Sequence, residues 1–265
     1  MIPLIEVKEK AVAEGVPETT IIRDYALGWL LKAINDLSGS FALKCGTGIR
    51  KAYIEDYRFS VDIDFTLTEN LEIKKLLQEA VKHSRRESGI EFEDEVNMKT
   101  VKTGFEAKIR FRLFYRFPMM LKVDITTIDN ELIVRPLKRR RLIHPFSDES
   151  EAMVLAYSLE EIMAEKIRSL FERTRPRDLF DVWYLSDILD TNKVLPLVER
   201  KFTPRKVEFN IERYTQRKEA FSSAWKPSFK NQLKEQPNFE SVFSKVESLL
   251  QTMAAKNRKK NWQVL

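Results

Sequence analysis

The sequence predicts an α+β fold in which a mixed β-sheet with flanking helices is followed by a C-terminal helical domain. Strand-like alternation of apolar and polar residues recurs between about residues 41 and 134, and segments with helical spacing lie between these strands. Beyond about residue 148 the strand signals nearly vanish and helical patterns remain. We therefore expect an N-terminal α/β domain at residues 1–147 and a helical domain at residues 148–265.

Composition limits the classes of protein that the chain can represent. Its 265 residues are 43% hydrophobic, which is enough to bury a substantial core. A single cysteine excludes an internal disulfide framework, and two histidines leave little material for a histidine-built zinc site or a Ser-His-Asp triad. The sequence contains no apolar run long enough to cross a membrane and no recognisable signal peptide, so we expect a cytoplasmic protein.

The net charge of +6 is unevenly spread. Two basic runs, RPLKRRR at residues 135–141 and KNRKK at residues 256–260, are suited to a phosphate-rich partner such as a nucleic acid. The alternative for each run is a solvated surface, and for the C-terminal run we favour that alternative.

Two helices and a glycine turn are predicted in the first third of the chain. Residues 18–38 carry apolar side chains at the spacing of a buried helical stripe. Residues 69–89 have the pattern of an amphipathic helix that Gly89 ends. Between them, SFALKCGTGIRKAY predicts a strand, a turn at residues 46–48 and a short helix.

The stretch FSVDIDFTL at residues 59–67 places two aspartates in an otherwise apolar strand. Because side chains alternate between the faces of a strand, Asp62 and Asp64 share one face while Ile63 and Phe65 occupy the other. Two neighbouring carboxylates repel each other unless a positive charge lies between them, and a divalent cation is the obvious candidate. The alternative is a strand with one solvated face.

A third carboxylate is predicted on a later strand. The segments FEAKIRFRLFYRF and MLKVDITTID also alternate, and we predict two antiparallel strands joined near Pro118. In the second of these, Lys122, Asp124 and Thr126 share the polar face. Glycines let backbone N–H groups approach a phosphate closely, and carboxylates hold Mg²⁺. The turn and the three aspartates therefore predict a metal-dependent phosphoryl or nucleotidyl transfer site.

The helical half begins with a capping box formed by Ser158 and Glu161, which predicts a helix over residues 158–174. A second helix begins at Arg177, after Pro176. Further helices are predicted at about residues 208–224 and 238–256.

Charged residues in the first two of these helices are candidates for a catalytic or binding role. Lys166 stands where the helical spacing calls for an apolar side chain, and it is either a functional cation or a lysine whose stem passes the core to reach solvent. Asp178 and Asp181 lie three residues apart on one helical face. They either form structural ion pairs or orient a catalytic lysine or a metal-bound water.

Taken together, these motifs resemble a known family. LKCGTGIRKAY, RFSVDIDFTL, KVDIT and EEIMAEKIRSLFERTRPRDLFDVWYL are similar to segments of the AbiEii/AbiGii toxin family, which includes the MenT-type toxins of the DNA polymerase β-like nucleotidyltransferase superfamily. The resemblance extends from about residue 40 to about residue 190. It implies a nucleotidyltransferase-type sheet and an enzyme that transfers a nucleoside monophosphate from an NTP to an acceptor.

The resemblance also implies roles for individual residues. The expected catalytic residues are Asp62, Asp64, Asp124, Lys166, Asp178 and Asp181. The expected ligands of a two-metal Mg²⁺ site are Asp62, Asp64 and Asp124. The residues expected to bind the NTP are Lys44, Gly46, Thr47, Arg50 and Lys166. The chain departs from the family at Cys45, where a glycine is frequent, and at Val61, where an acidic residue is frequent.

The best-understood family members modify the acceptor end of tRNA, and many are encoded beside an antitoxin. The resemblance therefore implies an RNA acceptor, with tRNA favoured, and a cognate antitoxin partner. One alternative is a small acceptor, as in aminoglycoside nucleotidyltransferases, whose acidic pockets suit a chain of charge +6 less well. Another is a decayed transferase domain that serves as a binding platform, which the intact carboxylates at residues 62, 64 and 124 argue against.

Overall fold

The structure is a computed structural model and describes residues 1–258. Unit 1 comprises Met1–Ser158 and Asn231–Lys234, and unit 2 comprises Leu159–Lys230 with the described residues from Glu235 onward. The basic run at residues 256–260 extends beyond the described residues. No described helix combines the length and the apolar character that a membrane crossing requires.

Unit 1, which is described in full, contains one seven-stranded sheet. Its strands are β1 (Phe41–Lys44), β2 (Asp62–Leu67), β3 (Glu91–Val101), β4 (Gly104–Arg112), β5 (Met119–Thr126), β6 (Lys138–Arg141) and β7 (Met153–Ala156). Its α-helices are α1 (Leu4–Glu14), α2 (Glu18–Leu37), α3 (Cys45–Ala52) and α4 (Ile73–Ser88). The strand order is β3-β4-β5-β2-β1-β7-β6. Because β2 runs parallel to β5 and β1 parallel to β7, while the other neighbours are antiparallel, the sheet is mixed, as predicted.

One face of the sheet forms the core of unit 1. Odd-numbered apolar residues of β2, β4 and β5, such as Ile63, Ile109 and Val123, are fully buried there. α2 contacts β5 and β7 on this side, and α4 contacts β3. A shift of one residue in any strand would move these side chains out of the core, so their burial fixes the register. The even-numbered polar side chains consequently share the opposite face.

Both helices predicted in the first third of the chain are confirmed. α2 follows the predicted apolar stripe, and Ile22 and Leu30 on that stripe are fully buried. α4 ends where the sequence predicts, because Gly89 has a φ of 71°. This left-handed backbone conformation is open to glycine without steric cost and ends helices efficiently.

Three strands are not predicted from the sequence. In β3 a bulge between Phe92 and Val96 interrupts the alternation of buried residues. β6 consists only of exposed cations, so its composition indicates a basic surface and carries no strand signal. β7 is short and pairs with β1, which extends unit 1 to Ser158, past the expected boundary at residue 147.

The described part of unit 2 is helical, as predicted. Its α-helices are α5 (Leu159–Glu172), α6 (Pro176–Ile188), α7 (Thr191–Phe202), α8 (Ile211–Thr215), α9 (Lys218–Phe229) and α10 (Phe239–Arg258). The helix predicted at residues 208–224 is divided between α8 and α9. α7 is not predicted, because Pro196 lies inside it and proline usually interrupts a helix.

Candidate active site

A row of charged side chains crosses the sheet of unit 1. Asp64 on β2 is the registered neighbour of Asp124 on β5. Glu106 on β4 continues the row beyond Asp124, and Lys44 on β1 continues it beyond Asp64. Registered residues of neighbouring strands point to the same face, and Asp62 joins this face two residues before Asp64. The structure thus brings the three predicted metal ligands to one face.

A lysine lies between two of the carboxylates. Lys122 Nζ is 2.7 Å from Asp124 Oδ2 and 3.2 Å from Glu106 Oε2. Burial lowers the pKa of Lys122, but the hydrogen bond and charge of Asp124, together with those of Glu106, outweigh it and hold the pKa above its ordinary value. Lys122 therefore remains protonated at neutral pH and offsets the repulsion between the carboxylates. Neither Lys122 nor Glu106 is assigned a role by the sequence motifs.

Lys44 is almost fully buried at the end of β1. Its Nζ is 3.1 Å from Glu131 Oε2 and donates a hydrogen bond to Thr126 Oγ1 at 3.3 Å. Because Thr126 lies on β5, these contacts hold the ammonium over the same face that carries Asp64 and Asp124.

Residues 46–48, which were predicted to form a turn before a short helix, are themselves helical and lie in the first turn of α3. Cys45, the first residue of α3, has a φ of 58°, and this left-handed conformation turns the chain from β1 into the helix. Thr47 is fully buried, and its hydroxyl donates a hydrogen bond to the backbone carbonyl of Asp62. This bond ties the turn to the beginning of β2, beside the predicted metal ligands.

Arg58 lies against this turn, although the sequence motifs assign it no role. A Cβ added to Gly46 would lie 2.6 Å from a terminal nitrogen of the Arg58 guanidinium, so a larger residue at position 46 would displace the end of that side chain. The guanidinium also donates to the carbonyl of Phe59 and to the side chain of Gln232, both at 3.3 Å. A permanent positive charge is thereby held beside Gly46. Its signal in the sequence is the arginine of RFSVDID, directly before the aspartate strand.

Arg50, expected to bind the NTP, is buried in a different cluster. Its Nε donates to Asp24 Oδ1 at 3.0 Å, and its terminal nitrogen donates to the carbonyls of Glu55 and Tyr57. Lys51 Nζ is 2.8 Å from the other oxygen of Asp24. Burial raises the pKa of Asp24, but the two cations outweigh it and hold the pKa below its ordinary value. These contacts support a structural role for Arg50 and give no support to phosphate binding.

In unit 2 the structure brings Lys166 together with the two predicted aspartates. Lys166 is 6% exposed, and its Nζ is 2.7 Å from Asp178 Oδ1 and 2.8 Å from Asp181 Oδ2. Arg173 Nε lies 2.9 Å from the second oxygen of Asp178. Burial raises the pKa of Asp178, but Lys166 and Arg173 outweigh it and hold the pKa below its ordinary value. The alternative in which Lys166 extends to solvent is therefore excluded.

Unit 2 contains a second buried lysine that the sequence does not single out. Lys201 Nζ on α7 is 2.8 Å from Glu161 Oε1 and 2.8 Å from Glu165 Oε1, both on α5. The ammonium is completely shielded from solvent. Through these ion pairs Lys201 links α7 to α5. Like Lys166, it is a buried lysine that contacts two carboxylates.

The donors on β2 and β5 suit a hard cation. Carboxylate oxygens are the ligands that Mg²⁺ prefers, and three aspartates share this face. Among residues 1–258, the side chains of Asp36, His83 and Glu87 form a closer group, in which all ligand atoms lie within 4.8 Å of one another. The three aspartates on β2 and β5 are more widely spaced than this group. In that group, however, Lys32 Nζ already lies 2.5 Å from Asp36 and 2.8 Å from Glu87.

Comparisons with known proteins show the family of the chain. Residues 29–252 match the profile of the family described as the nucleotidyl transferase AbiEii toxin of type IV toxin–antitoxin systems. Among solved structures, MenT4, a nucleotidyltransferase toxin from Mycobacterium tuberculosis, has a TM-score of 0.70 and 18% identity, with 100% of this chain and 97% of that chain covered.

JHP933 from Helicobacter pylori has a TM-score of 0.62 and 18% identity, with 92% of this chain and 96% of that chain covered. At this identity the two structures show a shared fold. A search of curated proteins found no match. Because the matched segment covers most of the chain, the protein belongs to the AbiEii family of nucleotidyltransferase toxins of type IV toxin–antitoxin systems.

Proposed function

We propose that this toxin transfers a nucleoside monophosphate from an NTP to an RNA acceptor, with tRNA as the favoured acceptor, in a reaction that depends on Mg²⁺. The observation that carries the proposal is the registered pair Asp64 and Asp124, with Asp62 on the same face and the Arg58–Gly46 contact beside β2. This arrangement combines ligands for a hard cation with a positively charged turn suited to phosphate.

Asp62 and Asp64 would hold the Mg²⁺ ions, and Asp124 would complete the site. Bound Mg²⁺ screens the triphosphate and lowers the pKa of a hydroxyl that it contacts. Lys122 Nζ lies 2.7 Å from Asp124 Oδ2, so Oδ1 is the Asp124 oxygen that would hold a metal while this contact remains. Asp124 would then help to activate the acceptor hydroxyl by accepting its proton.

In the transfer step the acceptor oxygen forms a bond to the α-phosphorus of the NTP. The bond from that phosphorus to the bridging oxygen breaks, and pyrophosphate leaves with the electron pair. Backbone N–H groups of Gly46 and Thr47, together with the Arg58 guanidinium, are suited to hold the departing phosphates. The hydroxyl of Thr47 is engaged by the Asp62 carbonyl, so its backbone amide is the group assigned to phosphate.

The family motif assigns triphosphate binding to Lys166, with Asp178 and Asp181 as the residues that position it. Their contacts in unit 2 support the positioning role, because two carboxylates within 2.8 Å fix the direction of the ammonium. A lysine held in this way loses little side-chain entropy when it meets a phosphate.

The charge distribution favours RNA over a small acceptor. β6 presents Lys138, Arg139, Arg140 and Arg141, all exposed, at one edge of the sheet. Such an edge suits a phosphate backbone, whereas pockets for cationic small acceptors are acidic. We infer a cytoplasmic location from the RNA acceptor, and the family implies a cognate antitoxin as partner.

Incubation with each α-labelled NTP, Mg²⁺ and total cellular RNA, followed by sizing of the labelled product, tests the proposal. We expect label in RNA of tRNA size with the wild type and none with Asp62→Asn or Asp64→Asn. Label confined to a small molecule in a cell extract would favour the alternative acceptor. NTP-independent binding of RNA or protein without transfer would favour the platform alternative.

A further inference from the structure

The β4–β5 hairpin has an exposed face that the proposed chemistry does not use. Lys108, Arg110 and Arg112 occupy alternate positions of β4, on the same face as Asp124. We call these three residues, together with the loop at residues 113–118, the hairpin face. It runs along the sheet from the loop to the carboxylate row.

Two of the cations on the hairpin face are not neutralised by a carboxylate of the described residues. Lys108 and Arg110 are exposed, and within the part of the chain that the structure describes neither forms an ion pair. Lys108 also lies directly opposite Lys122 on β5. Because Lys122 is already paired with Asp124 and Glu106, the charges that this face offers to an anionic ligand are those of Lys108 and Arg110. Arg112 is offset by Glu93 at 3.2 Å.

The loop at the other end of the face presents stacked aromatic rings. Tyr115 and Phe117 stack with their centroids 5.4 Å apart and their planes 5° apart. The Tyr115 hydroxyl donates to a carboxylate oxygen of Glu18 on α2, which fixes the inner ring, while Phe117 is 52% exposed. Nucleobases stack on an outer ring of this kind because each base has a π face.

An open hollow of about 460 Å³ lies next to the stacked pair. Arg112, Phe114, Tyr115 and Arg116 contribute to its lining. Phe114 has a φ of 62°, an uncommon conformation for a bulky residue, and remains 37% exposed. Exposed aromatic rings of the loop therefore lie beside two guanidinium groups, those of Arg112 at the end of β4 and Arg116 in the loop. This combination is typical of single-stranded nucleic acid binding.

We propose that the hairpin face binds single-stranded RNA and leads its end to the carboxylate row, with Lys108 and Arg110 contacting phosphates and Phe117 stacking on a base. This inference rests on the proposed RNA acceptor. At a strand rise of about 3.3 Å per residue, Asp124 lies roughly 17 Å from Met119 at the loop end of β5. A few nucleotides of extended single strand span that distance.

The test is fluorescence anisotropy of a labelled single-stranded RNA of about eight nucleotides, with the full chain in buffer free of Mg²⁺ and NTP. The variants are Lys108→Glu with Arg110→Glu, and separately Phe117→Ala. The matched control is Lys74→Glu with Lys75→Glu on α4, which makes the same charge change at exposed positions of a helix that contacts β3 from the core side.

The β4 charge reversal should weaken binding about tenfold or more and reduce the slope of log affinity against log salt by about 1.4, because each phosphate contact on a single strand contributes about 0.7. Phe117→Ala should weaken binding roughly fivefold to 100-fold without changing that slope. The α4 control should bind like the wild type.

Three results would overturn the inference: no binding of the oligomer by the wild type, equal binding by both charge-reversed proteins, or tighter binding of duplex RNA. Transfer assays separate this failure from failure of the proposed function. If the wild type labels RNA and the KM for RNA is unchanged in the variant Lys108→Glu with Arg110→Glu, RNA binding by the hairpin face is rejected. The proposed transfer to RNA then still stands. Labelling of a small molecule only rejects the RNA acceptor itself.

Discussion

Replacing Lys166 with methionine removes an ammonium that two buried aspartates surround. Asp178 is 2% exposed and Asp181 is fully buried, so the substitution leaves carboxylates that water cannot compensate. Breaking a buried ion pair by removing one partner costs about 3–5 kcal/mol. Arg173 still neutralises Asp178, so we expect the lower end, about 3 kcal/mol. For a chain of this size, that loss lowers Tm by about 6–12 °C.

Lys201→Met is the matched control, because Lys201 is also buried and also contacts two carboxylates. Calorimetry should show a fall in Tm for both variants. Transfer should then be measured at a temperature where both remain folded. If Lys166 binds triphosphate, its loss lowers the transfer rate by about 10²–10³, whereas Lys201→Met stays within a few-fold of the wild type.

Equal transfer rates for the two folded variants would refute the assignment of Lys166 to the nucleotide. An unchanged Tm for Lys166→Met would refute the argument from the buried ion pairs.

Three further outcomes follow from the buried polar contacts. Asp24→Asn leaves Arg50 and Lys51 buried without their carboxylate, so urea denaturation should show a loss of about 3–5 kcal/mol, and the exposed substitution Asp56→Asn should show none. Thr47→Val leaves the Asp62 carbonyl without its donor, at a cost of about 1–3 kcal/mol in thermal unfolding, and Thr47→Ser should restore most of it. Because the folded pKa of Asp178 is depressed, its stabilising contribution is present above the unfolded pKa of about 3.9 and is lost as pH falls through the folded pKa. Stability below about pH 4 should therefore fall more steeply in the wild type than in Asp178→Asn, and parallel profiles would contradict this.

Local patterns predicted much of the fold. Alternation along β2, β4 and β5 identified the buried residues, and Gly89 marked the end of α4. β3 and β6 were missed because a bulge hides the alternation of one and exposed cations make up the other. Alternation reports burial of one face, so a strand that buries little leaves no such signal.

The candidate site was predictable where its residues are close in sequence. Asp62 and Asp64 share a face by strand geometry, and Lys166 was conspicuous because it interrupts an apolar stripe. The partners of Arg50 could not be foreseen, since Asp24 lies on a separate helix. The position of Lys122 between Asp124 and Glu106 depends on the register in which β4 pairs with β5. The sequence predicted that these two strands pair but did not predict their register.

Calorimetric titration of NTP into the protein, with and without Mg²⁺, tests whether β2 and β5 hold the metal and the nucleotide. We expect binding that requires Mg²⁺, that is lost in Asp64→Asn, and that persists in Asp36→Asn, which alters the cluster of Asp36, His83 and Glu87. Binding that survives Asp64→Asn, or that disappears in Asp36→Asn instead, would contradict the assignment of the metal and nucleotide to the face of β2 and β5.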